Sequence, residues 1–366
     1  MYASLNDDII ILIINKLSYK NIINLLQLNK KYNKLCKENA ENITQVIYNN
    51  EVCFMNAKSI KILADCNFNN SIRHLSYYDL NLFKKYENLT FENVIISQVY
   101  IINNHYNKNI KYLKLYNTNL ISYFNPINYL SLTSLILINN NSSIFINTNY
   151  DNNIIMNNLL LLTKLNTLYI ENSLSNTPCD LYKLTSLTNI TSLGLCNIRQ
   201  DICNNYIFLE NMTRLKKLYL NKNNSDLKYS APLFLEEFYV QSIYSKITQF
   251  NYSHAFLNIK IIDISNTFYL YSHTIYSIIK KYYRTLEKFY INNCNIGDLV
   301  INNISLFITE NIPQLKLDFY LKYNRFNFNS LIKLHNSSNN INIYVSKHDM
   351  CLNNIKNPKY DRIFIL

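Results

Sequence analysis

Glycine occurs only twice in 366 residues, proline five times and tryptophan not at all. A phosphate-cradling loop or a dinucleotide fingerprint needs several glycines close together, and Gly194 and Gly297 stand far apart. Most nucleotide-handling enzyme folds are thereby excluded. Charge is thin as well: 16% of residues are charged, against 48% apolar. That balance can bury a sizeable core and does not suit a disordered chain. Long apolar runs are missing, with none approaching the ~18–20 residues of a membrane span. The first residues, Met1-Tyr2-Ala3-Ser4-Leu5-Asn6-Asp7-Asp8, carry acids where a secretory signal would be basic and then apolar. None of the 8 cysteines forms C-x-x-C, and the 6 histidines are equally dispersed, so no metal-ligand spacing exists. No nucleophile elbow or fixed Ser/His/Asp arrangement can be located either. The expectation is a non-catalytic intracellular protein, cytoplasmic or nuclear, with free thiols, no cofactor and no metal site.

Basic residues outnumber acidic ones, 36 to 24, giving a net charge of +12 and an isoelectric point near 9.1. A nucleic-acid surface gathers its lysines and arginines on one face. Here the clusters are short, such as Lys30-Lys31 and Lys280-Lys281. Asparagine makes up roughly a sixth of the chain, a compositional bias rather than a motif. Tyr, Ile and Lys are abundant too, and all of these have A/T-rich codons. Codon bias accounts for the basic excess without a function, so neither nucleic acid nor membrane is expected as a partner.

The length exceeds the roughly 250–300 residues at which one core stops growing, which implies two domains or a repeat array. Beyond residue 70 one spacing recurs: apolar, two residues, apolar, one residue, apolar. It runs Ile110/Leu113/Leu115, Leu132/Leu135/Leu137, Leu165/Leu168/Ile170, Ile190/Leu193/Leu195 and Leu215/Leu218/Leu220. It continues Leu235/Phe238/Val240, Ile259/Ile262/Ile264, Leu286/Phe289/Ile291 and Ile312/Leu315/Leu317. Weaker copies begin at Ile72, Tyr86 and near Ile341, and Asn139–Asn153 is expected to form an extended loop. Apolar residues two apart share one face of a short strand, and each strand buries that face only by stacking on its neighbours.

Residues 5–35 have a different texture. Leu5, Ile9, Ile13 and Leu17 recur at helical spacing, with Ser4 and Asp7–Asp8 suited to the start of the helix. A second short helix follows Ser18, and Tyr32 and Leu35 mark a third.

The stretch LNDDIIILIINKLSYKNIINLLQLNKKYNKL resembles an F-box, aligning without a gap at Leu5, Asp8, Ile9, Ile13, Leu17, Ser18, Ile22, Leu28, Tyr32 and Leu35. Asn6 replaces the usual proline and Tyr32 the usual tryptophan. The apolar spacing resembles leucine-rich repeats. Three positions after the third apolar residue that family places Asn or Cys, matched here by Asn140, Asn223 and Cys294, with Thr118, Ser173 and Thr267 as polar substitutes. Together the halves resemble the F-box/leucine-rich-repeat family, and the composition resembles such proteins of large amoeba-infecting DNA viruses.

The resemblance implies an α/β fold: a leucine-rich-repeat solenoid, horseshoe-shaped with short parallel strands on its concave face, behind a small three-helix F-box-like module. It divides the chain into the module (1–45), a linker or helical cap (46–70), the solenoid (71–350) and a tail or cap (351–366). It further implies a substrate-recognition subunit of a cullin–RING ubiquitin ligase. Leu5, Ile9, Ile13, Leu17, Ile22 and Leu28 would dock on an SKP-type adaptor, and the repeats would recruit a target protein. The alternative is a non-catalytic interaction scaffold whose N-terminal helices merely cap the array.

In the strand x-L-x-L-x the residue between the two buried positions points outward. Across the nine copies it reads Lys114, Ile136, Tyr169, Gly194, Tyr219, Tyr239, Asp263, Tyr290 and Lys316. The tyrosines Tyr169, Tyr219, Tyr239 and Tyr290 are the candidate target-binding residues, being large, rigid and polar at the tip. Strands lie about 4.8 Å apart, so Tyr219 and Tyr239 are expected nearly to touch.

Overall fold

A computed structural model describes residues 44–47, 59–63, 73–75, 88–92, 94–96, 110–116, 129–139, 152–172, 181–198, 206–221, 228–230, 232–241, 256–267, 270, 272–346 and 361–366. The F-box-like stretch, with the six positions expected to dock on an adaptor, lies outside the described residues. The chain divides into two compact units, Met1–Cys179 and Asp180–Leu366.

In the first unit the strands are β1 (Thr44–Ile47), β2 (Ser59–Leu63), β3 (Arg73–Leu75), β4 (Asn88–Glu92), β5 (Val94–Ile96), β6 (Tyr112–Tyr116), β7 (Ser134–Ile138) and β8 (Thr167–Glu171). They pair in parallel in the order β1-β2-β4-β6-β7-β8, with β3 and β5 forming a separate parallel pair. Of the stretch 46–70, expected as a linker or helical cap, the described residues are the end of β1 and the whole of β2. Helix α1 (Asn152–Leu160) covers the step between β7 and β8 and buries Met156 and Leu159. It ends the stretch expected as a loop.

The second unit contains β9 (Ser192–Cys196), β10 (Tyr206–Phe208), β11 (Lys217–Tyr219), β12 (Lys228–Ser230), β13 (Glu237–Tyr239), β14 (Ile261–Asp263), β15 (Lys288–Tyr290), β16 (Lys316–Tyr320), β17 (Asn340–Val345) and β18 (Ile363–Ile365). Again all pairing is parallel: β9-β11-β13-β14-β15-β16-β17-β18, plus a lone β10-β12 pair. β18 lies in the segment expected to be a tail or cap. Helices α2 (Ser272–Tyr282), α3 (Asp298–Asn311) and α4 (Phe328–Ser337) pack behind the later strands. Each buries one stripe, for instance Ile275, Ile278, Ile279 and Tyr282 of α2, the spacing an amphipathic helix requires.

This is a leucine-rich-repeat solenoid, and its cause is visible strand by strand. Leu113, Leu115, Leu135, Leu137, Leu168, Ile170, Leu193, Leu195, Leu218, Phe238, Ile262, Ile264, Phe289 and Ile291 are all buried at 0–1% exposure. The residues between them alternate outward. Burying each such side chain contributes about 1.5–3 kcal/mol, and no strand could do so without its neighbours.

The ninth copy is in a different register from the one its spacing suggests. Phe289 pairs with Phe319 and Tyr290 with Tyr320, not with Leu315 and Lys316. α3, at 14 residues the longest of the described helices, and a bend at Ile312–Gln314 lengthen that repeat. The register is thereby displaced by four residues from the one the spacing suggests, Phe319 standing where Leu315 was expected and Tyr320 where Lys316 was. Leu317, Phe319 and Leu321 form its buried row.

The turn after each strand explains how so few glycines suffice. Asn139, Asn172, Asn197, Asn266 and Asn293 all have φ between 45° and 61°, the left-handed region that asparagine tolerates better than most residues. They stand two residues after the third apolar position, one earlier than the Asn/Cys position read from the sequence. Their side chains link adjacent turns: Asn172 Nδ2 donates to Asn139 Oδ1 at 3.1 Å and Asn293 Nδ2 to Asn266 Oδ1 at 2.9 Å. In the next repeat Tyr323, at φ 60°, occupies the same place without that chemistry.

Candidate functional site

One position after the left-handed residue, the buried Ile198 fills the turn after β9, whereas in three later turns a polar side chain faces inward. Thr267, Cys294 and Asn324 occupy it in successive repeats and are buried. Asn324 is fully used. Its Nδ2 donates to the carbonyls of Ile291 at 2.7 Å and Leu321 at 2.9 Å, and its Oδ1 accepts the N–H groups of Cys294 at 2.9 Å and Ile296 at 3.1 Å. The Cys294 thiol lies 3.4 Å from the Ile264 carbonyl and 3.3 Å from that of Asn292. Burial pushes its pKa up to about 12, so it is a structural donor and not a nucleophile. Cys196 is likewise buried, its thiol 3.7 Å from the Tyr219 carbonyl.

The outward faces carry the surface on which a ligand can act. In the first unit Lys114, Ile136 and Tyr169 stand side by side on β6, β7 and β8. Tyr169 donates its hydroxyl to Glu171 Oε2 at 2.9 Å, within its own strand.

The second unit carries a longer row. From β9 to β18 the register aligns Gly194, Tyr219, Tyr239, Asp263, Tyr290, Tyr320, Tyr344 and Phe364 in one row. Tyr219 and Tyr239 stack with ring centroids 4.4 Å apart and planes 9° from parallel. Tyr290 stacks on Tyr320 at 4.1 Å, Tyr320 on Tyr344 at 4.4 Å, and Tyr344 on Phe364 at 4.9 Å. Tyr219, Tyr239 and Tyr290 are therefore brought into one row, while Tyr169 belongs to the other unit. Tyr320, Tyr344 and Phe364 join the site without having been singled out in the sequence. The texture Phe319-Tyr320-Leu321 repeats Phe289-Tyr290-Ile291 and Phe238-Tyr239-Val240, a signal that could have found the first of them.

Lys316 leaves the row. It lines a groove of about 740 Å³ together with Glu236, Lys260, Arg284, Lys288 and Asp318. Glu236 there pairs with Lys216 at 2.8 Å and with Lys260 at 3.2 Å. These two bonds hold its carboxyl below the usual carboxylate range. Beside the tyrosine row, Lys217 pairs with Glu237 at 2.9 Å, and Glu237 accepts the Tyr239 hydroxyl, also at 2.9 Å.

Desolvation raises the pKa of Tyr219, Tyr239, Tyr290, Tyr320 and Tyr344 above that of a free phenol. At neutral pH the row presents neutral hydroxyls and ring edges, the amphipathic surface that protein interfaces favour. Among the described residues no group of His, Cys, Asp and Glu could hold a metal ion, and no helix is long and apolar enough to cross a membrane.

No family model and no curated protein matches the chain. Among solved structures it is similar to an internalin (inlF) from Listeria monocytogenes str. 4b F2365, at 15% identity and TM-score 0.46, over 96% of this chain and 92% of that one. The fold rests on the strand registers and buried rows above, and by these it is that of a leucine-rich-repeat protein.

Proposed function

We propose that this chain is the substrate-recognition subunit of a cullin–RING ubiquitin ligase, holding a target protein on the outward face of its repeats. The observation that carries the recognition role is the tyrosine row of the second unit, with rings braced by stacking and polar tips turned outward. Rigid tyrosines lose little conformational entropy on binding, which makes them effective anchors. The adaptor-binding role is supported by the F-box resemblance of residues 5–35, through Leu5, Ile9, Ile13, Leu17, Ile22 and Leu28. Such a subunit performs no chemistry; it raises the effective concentration of target near the ubiquitin-charged enzyme. The compositional resemblance to proteins of amoeba-infecting viruses would make the ligase a host's, met in the cytoplasm or nucleus.

A second reading is favoured by β1, which extends the ladder back to Thr44. That leaves the F-box-like stretch where a solenoid places its cap, so the chain would be an interaction scaffold without a ligase. A pull-down with the purified SKP-type adaptor separates the two. Capture by the wild-type chain, lost in the Leu5→Asp/Ile9→Asp double variant, is the expected result. Absent capture, or capture indifferent to the double substitution, overturns the ligase reading and leaves the scaffold.

A further inference from the structure

The tyrosine row is interrupted once. On β14 the position between Tyr239 and Tyr290 is filled by Asp263, which pairs in register with both. Two braced stacks bound the break. Tyr239 is backed by Tyr219 at 4.4 Å and tethered through its hydroxyl to Glu237. Tyr290 is backed by Tyr320 at 4.1 Å. Each wall ring therefore has one face covered by its neighbour and the other turned toward the column of Asp263.

The width of the break follows from the strand spacing. The walls stand two strand steps apart, roughly 8–10 Å at the level of the rings. A planar group between two aromatic faces needs about 3.5–4 Å on each side, or about 7–8 Å in all. The break admits one plane and not two.

Its floor is anionic. Asp263 is 8% exposed, with Oδ1 accepting the Ser265 N–H at 2.9 Å and Oδ2 accepting the Gln241 amide at 2.8 Å. Those bonds fix the carboxylate and leave each oxygen further acceptor capacity. Among the described residues no lysine or arginine pairs with it. A nearly buried carboxylate with no counter-charge is costly, and a cation entering the slot would relieve that cost. Ile261, two residues earlier on the same face, offers apolar surface to an aliphatic stem. Beyond it Lys288 lies opposite Asp318, so the neighbouring charges are mixed and not uniformly repulsive.

Planarity, positive charge and a flexible apolar stem together describe an arginine side chain. The guanidinium stacks on aromatic faces and offers paired N–H donors to a carboxylate. We propose that Tyr239, Asp263 and Tyr290 form a slot that receives an arginine side chain of the target protein, with the guanidinium between the rings and bonded to Asp263. This rests on the target-recognition reading and gives that surface a residue-level preference. A lysine ammonium has no plane with which to fill the gap.

The test uses the full chain with ¹³C-ring-labelled tyrosine, titrated by NMR with Nα-acetyl-arginine amide. Nα-acetyl-lysine amide and Nα-acetyl-citrulline amide are the comparison probes, citrulline being planar but uncharged. The expected result is saturable shifts of the Tyr239 and Tyr290 ring signals with arginine, roughly tenfold weaker binding of the other two, and a similar loss in Asp263→Asn. Should that variant unfold, Tyr290→Leu removes a wall without touching the carboxylate and is expected to abolish the arginine shifts. Citrulline or lysine binding as well as arginine, or no saturable shift at Tyr239 and Tyr290, overturns the slot. Adaptor capture retained without arginine binding removes the slot alone; arginine binding retained without adaptor capture removes the ligase reading alone.

Discussion

Asn324 is the side chain on which the late repeats most depend. Truncation to alanine strips four hydrogen bonds at once: two accepted by its carbonyl oxygen from Cys294 and Ile296, and two donated by its amide to Ile291 and Leu321. The residue is 5% exposed, so water cannot replace the amide without opening the turn. Each buried backbone group left unmet costs about 1–3 kcal/mol. Relaxation of the loop recovers part of this, and the expected loss for Asn324→Ala is about 3–5 kcal/mol.

Thr267 supplies the control, because it holds the same place two repeats earlier. Its hydroxyl is buried and makes no hydrogen bond. Thr267→Val removes an unsatisfied group and keeps the shape, so it is expected to be neutral or to stabilise by about 1 kcal/mol. Urea unfolding followed by circular dichroism gives the difference in stability. Hydrogen exchange over 291–324 localises it, since a solenoid opens between neighbouring repeats. The argument is refuted by an Asn324→Ala protein within about 1 kcal/mol of wild type. It is equally refuted by a Thr267→Val protein that loses as much as Asn324→Ala.

The remaining predictions concern the turns and the aromatic row. Tyr323 sits at φ 60° with its side chain largely exposed, and a left-handed non-glycine residue costs about 1–2 kcal/mol. Tyr323→Asn is therefore expected to raise stability by about 1 kcal/mol in urea unfolding, and a loss would count against the strain argument. The tyrosines of the row have folded-state pKa values above the ordinary phenol value. The unfolded chain loses these protons first, so their contribution is intact below about pH 10 and is lost as pH rises through the folded values. The urea midpoint is expected to fall between about pH 9 and pH 11, with tyrosinate absorbance at 295 nm lagging behind that of the unfolded chain. An unchanged midpoint with fully developed absorbance would contradict it.

The repeat spacing was legible because it obeys a rule local to each strand: residues two apart on one face are buried, and that rule places Leu113/Leu115 and Phe289/Ile291 alike. Registers across strands are set elsewhere, by how much chain each return path consumes. Nothing in Ile312-Pro313-Gln314-Leu315 announces that α3 will take up 14 residues and delay the register of β16 by four. An apolar triad at the familiar spacing, Ile312/Leu315/Leu317, therefore pointed to Lys316, while the stack runs through Tyr320. The same limit applies to the turns. The Asn/Cys position three places after the third apolar residue was readable, but that the left-handed residue falls one place before it depends on backbone geometry, and the structure puts it at Asn266 and Asn293. Asp263 marks the other boundary of what sequence reveals. Its place between Tyr239 and Tyr290 was already in the outward row, yet a slot exists only because both tyrosines stack away from it, Tyr239 on Tyr219 and Tyr290 on Tyr320. Had either ring leaned toward β14, the same sequence would have closed over the carboxylate. The direction of stacking is a property of the assembled face, and it decides whether one acid among tyrosines is a flaw in the row or a receptor.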